Sequence, residues 1–214
     1  MRGISATLGW LAPLLAACTS GTTSEVTPPP MSTAPAPSAT QRTLPEPARS
    51  ADGTFAESLL WDERELQRNG QGLCEWGVFG IDLYIAALYC ERPTRDFATA
   101  LTPDQRTVFH LHFVRSLTGA QLAEAYTAST RLNTGDRFGD FAAPLQQLVA
   151  AMQTVQAGDR YTFFGEPGKG LTIARNGVVV GKVVDDAFRR LFVQLYLGDQ
   201  PPTAALRKAL LGTS

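Results

Sequence analysis

The sequence predicts an α+β domain with one mostly antiparallel sheet and helices on one of its faces. Runs rich in aromatic and β-branched residues, separated by turn residues, indicate strands. Other stretches carry apolar residues at helical spacing, which indicates amphipathic helices. Strands and hairpins that alternate with segregated helices are typical of the α+β class.

The strand predictions begin with residues 73–89, where two aromatic and β-branched runs flank a glycine-rich bend. Residues 107–115 predict a strand whose alternate side chains share a face. One face carries Phe109, Leu111 and Phe113, and the other carries Val108, His110, His112 and Val114. Residues 161–164 and 171–174 predict two more strands, and Asn176-Gly177 is a hairpin signal that leads into a last strand.

Apolar spacing and capping residues predict the helices. The first opens at Thr118, the second follows Asp140, and the third begins near Asp185 and ends at Gly198. Thr203 caps a short last helix, after two prolines that cannot extend the third. The inward-facing residues of the first three helices are Leu122, Ala125, Tyr126 and Ser129, then Phe141, Leu145, Leu148, Val149 and Met152, then Phe188, Leu191, Phe192 and Leu195.

Composition and charge restrict the class of protein. The chain has 214 residues, a formal net charge of −1 and 44% apolar residues, which suits one domain with additional sequence and argues against a nucleic-acid binder. Residues 19–52 are rich in Ser, Thr, Pro and Ala without an apolar period, so we expect a disordered tether there. The folded domain is then expected over residues 53–214.

The first 18 residues have the features of an export signal. Arg2 is followed by a mostly apolar stretch over residues 4–15, which is too short to span a membrane. This stretch ends in Leu15-Ala16-Ala17-Cys18, which resembles the lipobox of a bacterial lipoprotein, in which the cysteine is lipidated. With Ser20 after it, we expect a lipid-anchored protein of the bacterial cell envelope, at the outer membrane and facing the periplasm. The alternative is an ordinary cleaved signal peptide with an incidental cysteine.

The remaining nucleophilic and metal-ligating residues form no recognisable catalytic or metal motif. Cys74 and Cys90 lie in strand-rich sequence, and both a disulfide and two free thiols are compatible with it. His110 and His112 are the only histidines, and because a zinc site needs at least a third ligand, we expect no metal. The sequence contains no phosphate-binding loop and no nucleophile elbow, and we expect no cofactor.

Several short motifs, in order, resemble the chalcone isomerase-like family in its bacterial branch. The match spans residues 66–212. Its motifs are Asn69-Gly70-Gln71-Gly72-Leu73, then LYIAALY from Leu83, FVRSLTGAQ from Phe113, Gly158-Asp159, Asn176-Gly177 with Gly181 and Phe188, Leu197-Gly198-Asp199 with Pro202, and Leu206 with Leu210-Leu211-Gly212.

The resemblance implies an open-faced β-sandwich, with a ligand cleft between the sheet and the helices. Plant members of the family close chalcones into flavanones with an arginine, a threonine, a tyrosine and an asparagine, and other members bind fatty acids. At the matching positions this chain has Leu73 and Cys74 for the arginine, Tyr84 for the threonine, Leu122 for the tyrosine, Ser129 for the asparagine and Leu195 for a polar residue of the penultimate helix. The resemblance therefore implies a cleft without the catalytic set.

The hypothesis that follows is a non-catalytic protein that binds a small apolar or amphipathic molecule, such as a fatty acid, at a membrane surface. The candidate ligand-binding residues are Tyr84, Arg115, Leu122, Tyr126 and Ser129. Core packing is the alternative role for four of them, and a surface position is the alternative for Arg115. The alternative function is an isomerase or lyase with an unknown substrate. The resemblance assigns a structural role to the chain end, residues 195–212.

Overall fold

The computed structural model describes residues 42–76, 80–100, 102 and 104–213 of the chain. The predicted signal, the lipidation site at Cys18 and most of the predicted tether lie outside the described residues. No helix within the described ranges is both long enough and apolar enough to cross a membrane.

A single curled antiparallel sheet is the frame of the described part of the chain. Its strands are β1 (Ser58–Trp61), β2 (Arg64–Trp76), β3 (Ile81–Cys90), β4 (Thr107–Phe113), β5 (Arg160–Glu166), β6 (Gly170–Arg175) and β7 (Val178–Val183). Each strand pairs with the next one along the chain, so the order in the sheet is the order in the sequence. The predicted α+β class with an antiparallel sheet is confirmed.

The hairpin between β6 and β7 has the turn that its sequence predicts. Asn176 has φ 49° and Gly177 has φ 78°, and positive values at both central residues are what a two-residue type I′ turn requires. The strand β1 was not predicted, because its four residues, SLLW, are too few to show an alternating pattern.

The helices are α1 (Phe97–Ala100), α2 (Gly119–Thr134), α3 (Ala142–Ala150), α4 (Asp186–Leu197) and α5 (Ala204–Leu210), and a 3-10 helix over Gly135–Phe141 joins α2 to α3. Side-chain caps fix where three of them begin. Thr118 and Gln121 form a reciprocal capping box at α2. Asp185 and Thr203 each accept a hydrogen bond from the backbone N–H three residues further on, at 2.7 and 3.0 Å. The predicted starts of α2, α4 and α5 are therefore confirmed.

Two apolar cores lie on opposite faces of the sheet. The larger one lies between the sheet and α2–α5, and it contains the predicted inward set of β4, which is Phe109, Leu111 and Phe113. On the other face, a smaller core packs against Leu44 and Phe55 of the N-terminal segment. Alternate side chains of β4 therefore point into different cores, as predicted: Phe109, Leu111 and Phe113 into the larger one and Val108 into the smaller one.

The folded unit begins earlier than composition predicted. The Leu44 N–H donates to the Gly177 carbonyl at 2.8 Å, and the Glu46 carboxylate accepts from Arg160 Nε at 3.1 Å through each of its oxygens. Residues 42–52 therefore lie against the sheet, and the predicted end of the tether at residue 52 is too late. Composition did not reveal this, because the partners lie more than a hundred positions along the chain.

The last helix lies flat on β2 because two glycines allow its backbone to approach. A Cβ at Gly70 would lie 2.1 Å from the Ala209 carbonyl oxygen, and a Cβ at Gly72 would lie 2.5 Å from Ala209 Cβ. Asn69 Nδ2 also donates to the Leu210 carbonyl at 2.7 Å. The Asn-Gly-Gln-Gly motif and the chain end therefore form one structural unit.

Candidate ligand-binding cleft

A cleft opens between the sheet and the helices, where the end of β2 and the start of β3 face the first turns of α2. Its lining residues are Cys74, Glu75, Trp76, Leu83, Tyr84, Leu111, Phe113, Leu117, Gln121, Leu122, Ala125, Tyr126, Tyr196 and Pro202. Its cavity volume is about 80 Å³, and about 670 Å³ of space lies between its walls when the open mouth is included. The cleft is therefore narrow and mostly apolar.

Strand register and helix spacing position the lining residues. Cys74 of β2 lies opposite Tyr84 of β3, and Tyr84 lies opposite Phe113 of β4. These three side chains therefore line up across adjacent strands on the helix-covered face. On the helix side of the cleft, Leu122 and Tyr126 of α2 both face the sheet, because residues four apart on a helix share a face.

Three tyrosine hydroxyls and one thiol meet inside the cleft. Tyr126 Oη lies 3.0 Å from Tyr196 Oη, and the pair is buried. Tyr84 and Cys74, which lie opposite each other on adjacent strands, line the cleft beside this pair. These four groups, the hydroxyl–thiol chain (Cys74, Tyr84, Tyr196 and Tyr126), extend from the sheet wall of the cleft to its helix wall.

Burial keeps the hydroxyl–thiol chain uncharged. Desolvation is the largest cause that raises the pKa of Tyr84, Tyr126 and Tyr196 well above 10. Desolvation also raises the pKa of the Cys74 thiol to about 11, against a smaller opposing effect of the neighbouring Tyr84 hydroxyl. All four groups therefore keep their protons at neutral pH.

The described lining of the cleft contains one charged residue, Glu75, whose side chain is exposed. Lysine, arginine and histidine are absent from that lining. Such a cleft offers apolar contact and neutral hydrogen-bonding groups, but no positive charge for an anion.

The structure brings three of the five candidate residues together. Tyr84, Leu122 and Tyr126 all line the cleft. Ser129 lies one turn further along α2, fully buried and outside the lining, and its Oγ has no hydrogen-bond partner. Arg115 is exposed, because β4 ends at Phe113 and the chain bends away before reaching it. Arg115 therefore lies outside the cleft, at the surface position that was the alternative for it.

Sequence reasoning missed Tyr196. The polar position of the penultimate helix was assigned to Leu195, which is fully buried in the core. The neighbouring Tyr196 occupies the cleft instead and bonds Tyr126. A signal was present, since Tyr196 lies four residues after Phe192 on the predicted inward face.

Cys74 and Cys90 are free and buried. Cys74 lies opposite Tyr84, whereas Cys90 lies opposite Gln67, six positions further along β3. Six strand residues span about 20 Å, far beyond the separation of about 6 Å that a disulfide tolerates between Cα atoms. The disulfide, one of the two outcomes that the sequence left open, is excluded.

Both histidines lie on the opposite face of the sheet from the cleft. His110 Nδ1 lies 2.9 Å from Thr162 Oγ1, and His112 Nε2 lies 3.3 Å from Arg49 Nη1. Among the described residues, no group of three or more His, Cys, Asp or Glu side chains is placed to hold a metal ion.

Similar folds and sequences are found among known proteins. A crystal structure of a fatty-acid binding protein from Arabidopsis thaliana is similar to this structure, with a TM-score of 0.63 and 18% sequence identity. The match covers 78% of this chain and 96% of that chain. No curated protein matches the sequence. The family model described as chalcone isomerase-like matches residues 48–212, and the chain belongs to the chalcone isomerase-like family.

Proposed function

We propose that the protein binds a small apolar or amphipathic molecule, such as a fatty acid, in the cleft between sheet and helices, and does not catalyse a reaction on it. The observation that carries this proposal is the lining itself. Apolar side chains dominate the cleft, and its hydroxyl and thiol groups, of which Tyr126 and Tyr196 are hydrogen-bonded at 3.0 Å, are neutral. Ligand sites of proteins typically combine apolar walls with a few placed polar groups.

The cleft has room for an apolar group. Its volume of about 80 Å³ is several times the roughly 10–15 Å³ that one water needs. The similarity to a fatty-acid binding protein supports an alkyl chain as that group.

The chemistry of the cleft does not favour the alternative, an isomerase or lyase. Cys74 occupies a position that resemblance assigns to the catalytic arginine, and a neutral thiol supplies no charge to an anionic intermediate. General acid–base groups work best with a pKa near the working pH, whereas burial moves the pKa of Tyr84 away from neutrality.

The proposal includes a location. The order of an apolar segment, small residues and Cys18 supports a lipid anchor at the envelope of a bacterium, with the domain in the periplasm. Metabolic labelling with an alkyne fatty acid should mark the wild-type chain and spare a Cys18→Ser variant. Equal labelling of the two chains, or none, would contradict the anchor.

Binding itself is tested by calorimetric titration of delipidated protein with fatty acid, together with mass spectrometry of lipid that copurifies with the untreated protein. We expect saturable uptake and a bound lipid in the purified sample. Neither heat of binding nor copurifying lipid would contradict the proposed function.

A further inference from the structure

From the groups inside the cleft, we infer that the ligand is a long-chain amphiphile with an uncharged oxygen head, such as an alcohol or an ester, and that carboxylate anions are disfavoured. This inference rests on the proposed function, because it specifies the chemical class of the molecule that the cleft binds. A carrier of ionised fatty acids would bind a charged head group, whereas this cleft is inferred to bind an uncharged one.

The described lining of the cleft offers no counter-ion for a carboxylate. The described lining contains no cationic side chain, and its one charged residue, Glu75, is itself an anion. Arg115, which precedes α2, and Arg131, which lies within it, are both exposed and outside the lining. A carboxylate in this cleft would be a desolvated charge without a partner, which is costly.

The hydroxyl and thiol groups of the cleft offer a head group only neutral hydrogen bonds. Tyr126 Oη and Tyr196 Oη lie 3.0 Å apart, so one of their two hydrogens is used within the pair. The remaining hydroxyl hydrogens suit an alcohol or carbonyl oxygen, whereas a carboxylate also has a charge and about four acceptor sites to satisfy.

The interior of the cleft is poorly solvated, which disfavours charged groups. The same burial that raises the pKa of Tyr84, Tyr126 and Tyr196 disfavours every anion in this space. A fatty acid that enters therefore binds in its undissociated form, and its affinity rises as the pH falls toward the pKa of its carboxyl group.

The test compares head groups on one alkyl chain. The full chain is loaded with the uncharged dye N-phenyl-1-naphthylamine, and 1-hexadecanol or palmitate is added from cyclodextrin at pH 7.5. We expect hexadecanol to displace the dye at an at least tenfold lower concentration than palmitate. At pH 5.5 the gap should narrow, because palmitate gains affinity while hexadecanol does not change.

The possible failures are distinguishable. If palmitate displaces the dye as well as hexadecanol does at pH 7.5, or better, the neutral-head inference is overturned and the proposed function stands. If neither lipid displaces the dye and neither gives heat of binding in a direct calorimetric titration, the proposed function is overturned and this inference falls with it.

Two arginine variants on β2 separate a charge inside the cleft from one outside it. Cys74→Arg places a cation in the lining and should improve palmitate relative to hexadecanol by about tenfold, whereas Leu73→Arg places the same charge at an exposed position outside the lining and should leave that ratio unchanged. An equal shift in both variants would show that a charge in the cleft is not the cause and would overturn the inference. If Cys74→Arg does not fold, the wild-type comparison of the two lipids decides alone.

Two Tyr→Phe variants test whether the head group is hydrogen-bonded in the cleft. Tyr196→Phe removes one hydroxyl of the Tyr126–Tyr196 pair, and we expect hexadecanol binding to weaken about tenfold while binding of hexadecane, which has no head group, is unchanged. Tyr89→Phe is the matched control, because Tyr89 is buried on the opposite face and its hydroxyl donates to the Ala56 carbonyl at 2.8 Å. Equal losses for the alcohol and the alkane in Tyr196→Phe would contradict a hydrogen-bonded head.

Discussion

At the residue scale, the two described thiols are similar in their protonation although only one of them lines the cleft. Burial raises the pKa of Cys74 to about 11 and that of Cys90 to about 12. Both are less than a twentieth exposed. A thiol reacts as its thiolate, so neither side chain is expected to act as a nucleophile in the folded protein at neutral pH.

This protonation predicts how the cysteines respond to a maleimide pulse at pH 8. With a pKa of about 11, roughly a thousandth of the Cys74 thiol is ionised at that pH, so peptide mapping should find Cys74 and Cys90 unlabelled in the folded state. After unfolding in urea without reductant, both should label fully. Rapid labelling of the folded protein would contradict the burial, and a need for reductant would contradict the free thiols.

At the element scale, local chemistry predicted much of the fold. Thr118, Asp185 and Thr203 were recognisable as caps because a cap acts within three residues of itself. Asn176-Gly177 was recognisable as a turn for the same local reason. The one-residue error at Leu195 has a different origin, since the choice between Leu195 and Tyr196 depends on how α4 is rotated against α2, which spacing along one helix does not determine.

The packing of α5 on β2 predicts a strong effect of a single methyl group. Gly70→Ala places a Cβ 2.1 Å from a backbone oxygen of α5, which α5 cannot relieve by a rotamer change. We expect a loss of about 1–3 kcal/mol in the free energy of unfolding, measured by urea denaturation. The matched control is Gly139→Ala, where a Cβ meets nothing within 4 Å, and its effect should stay within about 0.5 kcal/mol. Equal stability of the two variants would contradict the close packing of α5.

At the scale of the whole molecule, the sheet is closed on both faces by segments distant in sequence. The helices cover one face, and the N-terminal segment covers the other through Leu44 and Phe55. The sequence predicts that helices cover one face, because each amphipathic helix carries apolar residues at a spacing that puts them on one side. It did not predict the cover on the other face, because nearly half of residues 42–52 are Pro, Ser or Ala, as in the predicted tether before them, and they have no apolar period. The composition of the cleft likewise depends on side chains from separate strands and helices.

The early start of the folded unit predicts a difference between two truncated chains. A chain that begins at residue 42 retains the contacts of Leu44 and the Glu46–Arg160 ion pair. A chain that begins at residue 53 loses both and exposes part of the second core. We expect the second chain to have a lower Tm by several degrees, since about 1 kcal/mol corresponds to roughly 2–8 °C for domains of this size range. Identical melting of the two chains would restore residue 52 as the boundary.

The most direct measurement of ligand binding in the cleft is a titration of wild type and a cleft-filled variant with the same lipid. Ala125 lines the cleft, while Ala120 is exposed on the same helix. Calorimetry with 1-hexadecanol should show saturable binding to wild type and to Ala120→Phe, and a loss of at least tenfold in affinity for Ala125→Phe, because the added ring occupies the ligand's space. Absent binding in wild type, or equal binding in all three proteins, would contradict a ligand site between the sheet and the helices.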